Sequence, residues 1–357
     1  MVSVTEASAL LDAPRVSVVV PTFRRPGALE ETLRALVTQD YPTNRYEVIV
    51  IDDGSGDATQ SVAESFAGTS PEVRYVQQTN AGAAAARNHG ARVALGNVLI
   101  FVDDDIVVRP THVRQHVAVL AEYGDCLVNG HWEFSPAAAA ALAGTPFGRF
   151  RVAVEQWVKE GIAKAPLEGT RTSPAAVTAC NLSLPTALFW RIGAFDATFP
   201  RAGYEDQEFS RRAAEAGCQF VYDRSIELQH NDQRLTLRQF CERQRQGAFT
   251  AVILAWRHPG RFSRQPLITE NAPIRRGERP ALAAKKLTKL LLSRRPALTL
   301  AYAAVGVLER VQPNGRLLRR VYWSVCGLYI FLGVREAVAE VGDPAFAVVP
   351  DEPRVRS

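Results

Sequence analysis

An α/β fold is what this 357-residue sequence predicts: a mostly parallel sheet with helices on both faces, followed by a basic helical C-terminal segment. Three observations carry that prediction. Strand-like and helix-like hydrophobic periods alternate from Val16 to Val102, acidic and Gly/Ser-rich clusters recur where the strand-like runs stop, and cations concentrate near the C-terminus.

Taken in order, Val16 to Val20 reads as a β-branched strand stopped by Pro21, and Gly27 to Thr38 as a helix with Leu29, Leu33, Leu36 and Val37 on one side. Glu47 to Ile51 is the next strand and Asp57 to Phe66 the next helix, with Val62 and Phe66 turned inward. Val73 to Val76 is a third strand, Ala83 to Leu95 an Ala-rich helix, and Val98 to Val102 a fourth strand. Strands and helices at this spacing imply right-handed crossovers and a parallel sheet covered on both faces. After Asp105 the regular alternation is lost. Pro136 to Ala143 is Ala-rich, Phe147 to Lys164 reads as a helix, and Glu168 to Thr178 as a loop near the site. The texture from Asn181 to Gly217 is compact, Gln219 to Tyr222 is a strand, and Leu235 to Trp256 is a helix ended at His258-Pro259-Gly260. The expected organisation is a tail over 1–14, an α/β domain over 15–256 with halves 15–107 and 108–256, a basic helical region over 257–345, and a tail over 346–357.

Composition narrows the function. With 47% hydrophobic and 22% charged residues, the chain is globular rather than disordered. Its five cysteines, Cys126, Cys180, Cys218, Cys241 and Cys326, form no CxxC pair and no zinc spacing, which fits a reducing cytosol. Met1 to Pro14 lacks a positive start and an apolar core, so no export is expected. The net charge of +5 hides an asymmetry: Arg257 to Arg335 holds sixteen Lys/Arg against three Glu, and the remainder 26 basic against 34 acidic residues. Such a cationic end suits an anionic partner. Within it, Ala297–Leu308 and Val321–Val334 are uncharged runs of twelve and fourteen residues, short of the roughly 18 apolar residues a bilayer span needs. Their flanks, Lys285, Lys286, Lys289, Arg294, Arg295, Arg316, Arg319 and Arg320, suit an anionic membrane surface; a helical domain packed on the rest is the other reading. Nucleic acid is not expected, because Tyr322, Trp323, Tyr329 and Phe331 fall inside apolar runs rather than between the cations. Cytoplasmic placement follows, with a peripheral position on the inner face of the plasma membrane under the first reading.

The motifs sit at expected carboxyl ends of strands, where sheets of this kind bind ligands. Leu99 to Val102 delivers Asp103-Asp104-Asp105, which is either a divalent cation site or a solvated acidic turn. The second strand ends in Asp52-Asp53-Gly54-Ser55-Gly56-Asp57. Asp57 is the expected helix cap, and at least one of Asp52 and Asp53 is expected to contact a nucleotide. Pro21-Thr22-Phe23-Arg24-Arg25 offers a wall for a base or diphosphate. Asn80-Ala81-Gly82 opens a smooth helix carrying Arg87, which reaches either a phosphate or a neighbouring acid.

In this order the segments VSVVVPTFRR, VIVIDDGSGDAT, QTNAGAAAARNHG, LIFVDDDIV, and Asn181 followed by GAFDATFPRAGYEDQEFSRRAAEAG resemble the family 2 inverting glycosyltransferases. The resemblance runs from about Val16 to Gly247 and implies the GT-A fold, a Rossmann-like sheet. It also implies a nucleotide-sugar donor, with a UDP-sugar favoured, and a divalent cation, Mn²⁺ or Mg²⁺. On this resemblance Pro21, Thr22, Arg24, Asp52, Asp53, Asn80, Gly82, Arg87, Asp103 and Asp104 form the donor site. Asp103 and Asp105 match the metal-binding DxD pair, and His230 is a looser match to a histidine near the metal or diphosphate, with a buried hydrogen-bonding histidine as its alternative. Glu205-Asp206 is similar to the ED motif whose aspartate is the base, with Arg212 and Gly217 completing the pattern. Glu205 alternatively caps its helix.

The implied chemistry is coherent: charge stabilisation on the leaving phosphates and proton removal from the attacking hydroxyl. The acceptor is expected to be a lipid-linked or cell-envelope glycan, the alternative being a soluble natural product or protein. A nucleotidyltransferase would carry a glycine-rich loop after the first strand, where Pro21 to Pro26 has none, and a non-catalytic binding protein would be expected to lose the DxD or ED carboxylates.

Overall fold

The computed structural model describes residues 15–163, 169–173, 176–199, 201, 203–232 and 235–344. The expected tails over 1–14 and 346–357 lie outside these residues, as do parts of the expected loop between Glu168 and Thr178. The chain divides into two compact units, one within 1–139, 155–200 and 205–233, the other within 140–154, 201–204 and 234–357.

The first unit is built on a sheet of nine strands among the described residues. In chain order they are β1 (Val16–Thr22), β2 (Tyr46–Asp52), β3 (Glu72–Gln77), β4 (Val98–Val102), β5 (Ile106–Val108), β6 (Cys126–Phe134), β7 (Arg171–Thr172), β8 (Asn181–Pro185) and β9 (Gln219–His230). They lie in the order β3-β2-β1-β4-β8-β6-β9-β5, with β7 on β9. The first four run parallel, as expected. The far half is mixed: β8 is antiparallel to β4 and β6, and β5 and β7 are antiparallel to β9. Pro21 does not stop β1, which continues to Thr22. Thr22 C=O accepts from Asp53 N–H on the β2 side, and alternation turns position 21 towards β4, where pairing has already ended at Val19 and Phe101, so the missing proline N–H costs no ladder bond.

Two apolar layers explain why the early strands read as continuous β-branched runs. Val16, Val18 and Val20 face one layer with Val48, Val50, Ile100 and Val102. That layer is closed by α1 (Pro26–Leu36), α2 (Thr59–Glu64) and α4 (His112–Tyr123), which contribute Leu29, Leu33, Ala63 and Val113. Val19, Ile49, Ile51, Leu99 and Phe101 face the other layer with α3 (Ala83–Val93). Further along the chain come α5 (Pro136–Ala143), α6 (Pro146–Ala163), α7 (Thr186–Ile192) and α8 (Glu205–Glu215). Phe189 of α7 and Phe209 of α8 complete that second layer. Helix α3 packs very closely on the sheet: a Cβ at Gly90 would stand 2.3 Å from Val19 Cγ1.

A polar network is buried under β8. His116 Nε2 donates to Asn181 Oδ1 at 2.9 Å, so its Nδ1 accepts from Ser183 Oγ at 2.8 Å. The neighbouring His112 ring has no hydrogen-bond partner on either nitrogen. Burial pushes His116 down to about 4 against the pull of Asn181 and Asp223, and burial, helped by His116, holds His112 well below its ordinary value. Both rings are therefore neutral when folded, while the unfolded chain takes up protons near pH 6.5. Stability is expected to hold above about pH 6.5 and to fall by about 3 kcal/mol through His116 alone as the pH drops to 4. Urea unfolding at pH 7.5 and pH 4 checks this; an equal stability at both, or an unchanged pH slope in His116→Gln, contradicts it.

The second unit is helical: α9 (Leu237–Arg257), α10 (Pro259–Phe262), α11 (Pro266–Thr269), α12 (Pro280–Leu292), α13 (Arg295–Val311) and α14 (Arg316–Val341). A Thr236/Gln239 capping box starts α9. Phe147, Phe150, Leu237, Cys241, Tyr322 and Cys326 share one core, and Arg245 pairs with Glu336 at 2.9 Å. Helix α9 thus groups with the C-terminal helices, whereas the sequence reading placed it in the α/β domain and put the boundary at His258. Its buried run from Ala248 to Ala255 is the reason. The run Val321–Val334 also differs from expectation. It lies inside a 26-residue helix, the one among the described residues that is long and apolar enough to cross a membrane, and half of its most apolar window is buried, as in a core helix.

Candidate active site

At the carboxyl ends of β1, β2 and β4, on either side of the point where strand order reverses, the first unit brings most of the expected site residues together. Asp53 organises one wall. Its Oδ1 accepts from Gln78 Nε2 and Ala81 N, both at 2.8 Å, and its Oδ2 from Gly82 N at 2.8 Å and Asn80 Nδ2 at 3.1 Å. Those four bonds fill the acceptor sites of a carboxylate. Asp53, expected to bind the donor, is therefore a brace for the Asn80-Ala81-Gly82 turn. Gly82 is required in that turn, since its φ of +89° strains any other residue. Asp52 accepts one bond on each oxygen, from Ser55 N at 2.9 Å and Tyr75 Oη at 2.7 Å, and so keeps acceptor capacity. Asp57, the expected helix cap, stands one residue before the cap position, which Ala58 fills, and accepts from Thr59 N at 2.9 Å in a turn that leads into α2.

On the β1 side, Arg24 holds the facing Gly/Ser loop through its backbone N–H to Ser55 Oγ at 2.8 Å. Pro21 is buried, and Thr22 Oγ1 donates to Asp104 Oδ2 at 2.8 Å instead of pointing to open space. Asp104, also expected in the donor site, is committed to other bonds. Besides Thr22 it is held by Arg25 Nη1 at 3.1 Å, the nitrogen that also donates to Asp105 Oδ2 at 3.0 Å, and its carbonyl accepts from Thr32 Oγ1 at 2.9 Å. The turn that follows β4 thus joins the middle acid to β1 and α1. Burial pushes Asp104 up to about 6 against Arg25, with Asp105 and Asp103 adding to the rise.

Asp103 is met by Arg87. This guanidinium, carried to the strand end by α3, donates to Asp103 Oδ1 at 2.7 Å and to Glu205 Oε1 at 3.0 Å. Burial alone would lower it, but Asp103 and then Glu205 outweigh burial and raise it. Of the two readings of Arg87, the ion pair is the one formed. The adjacent Asn88 bonds both polar backbone atoms of Phe195, at 2.7 and 3.0 Å, so α3 ties the segment before α8 to the sheet. Asp206 follows in the first turn of α8, where the helix dipole favours carboxylates. Arg212 stays outside the site and donates to the carbonyls of Ile192 and Ala194 beyond α7.

Asp105 gathers two cationic or ionisable partners, Arg25 at 3.0 Å and His230 Nε2 at 3.4 Å. The register of β5 on β9 causes the second, because Asp105 C=O accepts from Asn231 N–H at 2.8 Å. Burial pushes the thiol of Cys180, which contacts Thr178 Oγ1 at 3.5 Å, up to about 12, with Asp103, Asp105 and Asp206 adding to the rise. Arg25 and Cys180 were not among the expected site residues. Arg25 lies in the PTFRR segment, but nothing there tells which arginine turns inward; for Cys180, beside Asn181, no sequence signal existed.

Among the described residues no group of three or more His, Cys, Asp or Glu side chains is placed to hold a metal ion by itself. Asp103 and Asp105 offer hard oxygen donors of the kind Mg²⁺ or Mn²⁺ takes, so a cation held here would need further ligands from elsewhere.

Comparison with known proteins bears on the family and the fold. Residues 17–139 match the sequence model of glycosyl transferase family 2. Validoxylamine A glucosyltransferase of Streptomyces hygroscopicus subsp. jinggangensis is 30% identical over 250 residues, covering 61% of this chain and 56% of that protein. Glycosyltransferase AglE of Haloferax volcanii is 27% identical over 214 residues, covering 60% and 66%. The chain therefore spans only a little over half to two thirds of these relatives. Among solved structures, the mannosyltransferase PcManGT from Pyrobaculum calidifontis, in complex with GDP-Man and Mn²⁺, aligns over 92% of this chain and 88% of its own with a TM-score of 0.57 and 17% identity, a likeness of fold.

Proposed function

Residues 17–139 match glycosyl transferase family 2, and we propose that the chain is a glycosyltransferase that transfers a sugar, with inversion, from a nucleotide-sugar donor to an acceptor hydroxyl. The observation that carries this is the joining of Asp103, Arg87 and Glu205 at the end of β4, which sets Asp206 beside the donor end of the sheet.

Asp52 keeps acceptor capacity for the base or ribose, and Arg24 and Asn80 flank it on the surface of the two turns. A divalent cation held by Asp103 and Asp105 beside His230 would neutralise charge on the leaving diphosphate. Asp206 takes the proton of the acceptor hydroxyl as its oxygen bonds to C1 and the bond from C1 to the diphosphate breaks. One displacement gives one inversion. The neighbour's Mn²⁺ and GDP-Man support a nucleotide-sugar donor and a cation, and the preference for a UDP-sugar rests on the motifs alone. The acceptor we place on a lipid-linked or cell-envelope glycan reached from the cytoplasmic face of the plasma membrane, on the strength of the cationic C-terminal unit. The validoxylamine relative favours a second reading, a soluble acceptor. The test is nucleotide release from a panel of UDP-, GDP- and dTDP-sugars with Mn²⁺ or Mg²⁺. One donor is expected to be hydrolysed slowly without acceptor, and release from none of them overturns the reading.

A further inference from the structure

Helix α12 turns Lys286 and Lys289 inward and Leu287 and Leu291 outward, with Lys285 half exposed beside them and paired with Glu270. Lys286 is buried, with Nζ on Glu278 and 3.2 Å from the carbonyl of Pro273, and Lys289 Nζ lies 2.6 Å from Asn271 Oδ1. The positions open to solvent at steps of three and four are Pro280, Ala284, Leu287 and Leu291, with the two leucines 49% and 51% exposed. Helix α13 repeats the pattern with Leu300, Ala303, Ala304, Val307 and Val311, of which Leu300 is 71% and Val311 70% exposed. That spacing places each set on one stripe of its helix, where a helix of a soluble domain ordinarily carries its polar face.

Cations border the stripes. Arg294 and Arg295 open α13, Arg310 stands near its end, and Arg319 and Arg320 are exposed on α14 beside Leu317 and Trp323. Between Arg279 and Val311 the one acid is Glu309, already engaged by Tyr322 Oη at 2.6 Å. An uncharged apolar stripe edged by arginines and a tryptophan is the chemistry of a helix lying in the interface of an anionic bilayer. A protein partner recognised through cations would more commonly meet them in the middle of the patch than along its border.

We propose that the exposed face of α12 and α13 docks this chain on an anionic lipid surface, with the apolar stripes at the acyl boundary and the arginines on the headgroups. This deepens the reading of a membrane-linked acceptor and rests on it for its purpose, though the surface stands on the C-terminal unit's own geometry.

The experiment is cosedimentation of the full chain with phosphatidylglycerol-rich vesicles and with phosphatidylcholine vesicles. Partition onto anionic vesicles is expected to be at least tenfold stronger and to weaken with salt. Leu300→Asp with Val307→Asp should reduce it at least tenfold. Arg294→Gln and Arg295→Gln, which leave the stripe intact and answer the question if the aspartate variant misfolds, should each reduce it about fivefold, the contribution of one cation at such a surface. No partition onto anionic vesicles, partition by the variants equal to that of the parent, or a dimer that Leu300→Asp dissolves in place of vesicle binding overturns the proposal. Nucleotide release is scored in the same samples. Vesicle binding without release from any donor counts against the transferase reading alone, and release without vesicle binding counts against the docking surface alone.

Discussion

Replacing Asp206 with Asn is expected to reduce sugar transfer by about 10³-fold, within the range removed with a general base, while the affinity for the donor nucleotide changes little. The separation follows from placement. The carboxylates proposed for the nucleotide and the cation lie at the ends of β2 and β4, whereas Asp206 comes from the first turn of α8, where it accepts from Gln207 N–H at 2.8 Å. Asparagine keeps the size and accepts that same amide bond, so the helix start survives and the proton acceptor does not. Steady-state transfer together with calorimetric titration of the nucleotide checks this. Retained turnover would move the base elsewhere, and lost nucleotide binding would make Asp206 part of the donor site.

Arg87→Ala is expected to destabilise the chain by about 3–5 kcal/mol, the range for leaving one side of a buried pair uncompensated. Most of that loss comes from Glu205, whose side chain is 7% exposed, rather than from Asp103, which is 34% exposed and partly rehydrated. Arg87→Lys rescues little, since a single ammonium cannot span two carboxylates as the planar fork does. Were Arg87 a phosphate ligand instead, the alanine variant would keep its stability and lose only donor affinity. Urea unfolding beside donor KM and kcat separates the two. The positioning role predicts lower stability together with lower kcat in Arg87→Ala, and a smaller stability loss from the same substitution once Glu205→Gln has removed the buried charge.

The parallel half of the sheet was legible because its strands are buried on both faces and leave unbroken Val/Ile runs between amphipathic helices. Strand β9 was foreseen only to Tyr222, because the stretch after it, Asp223 to Gln229, carries polar residues on its open face and loses the apolar run. β5, β6 and β7 escaped for related reasons: they are short, or they mix His, Trp and Glu along a half-exposed surface. In the site, the types of residue were readable and their partners were not. Asp52 and Asp53 look alike in sequence, yet the number of bonds each accepts divides a residue able to meet a ligand from one committed to a turn. Asp104 looked like a third site acid until the turn after β4 set it on Thr22 and Arg25. Arg87 had two equal readings that only the approach of α8 to β4 decides. The contacts of Asp53 with Gln78 and Gly82 span 25 and 29 positions, and those of Thr22 with Asp104 and of Arg87 with Glu205 span 82 and 118, and no local pattern records them.

We propose that a nucleotide sugar is activated at the ends of β1, β2 and β4 with a divalent cation on Asp103 and Asp105. Nucleotide release from the donor panel, run with Mn²⁺, with Mg²⁺ and with chelator, tests it most directly. The account predicts release from one class of donor that chelation abolishes and that Asp105→Asn lowers severely, even though Arg25 and His230 remain in place. Release that persists in chelator at the same rate, or that Asp105→Asn leaves unchanged, would contradict it.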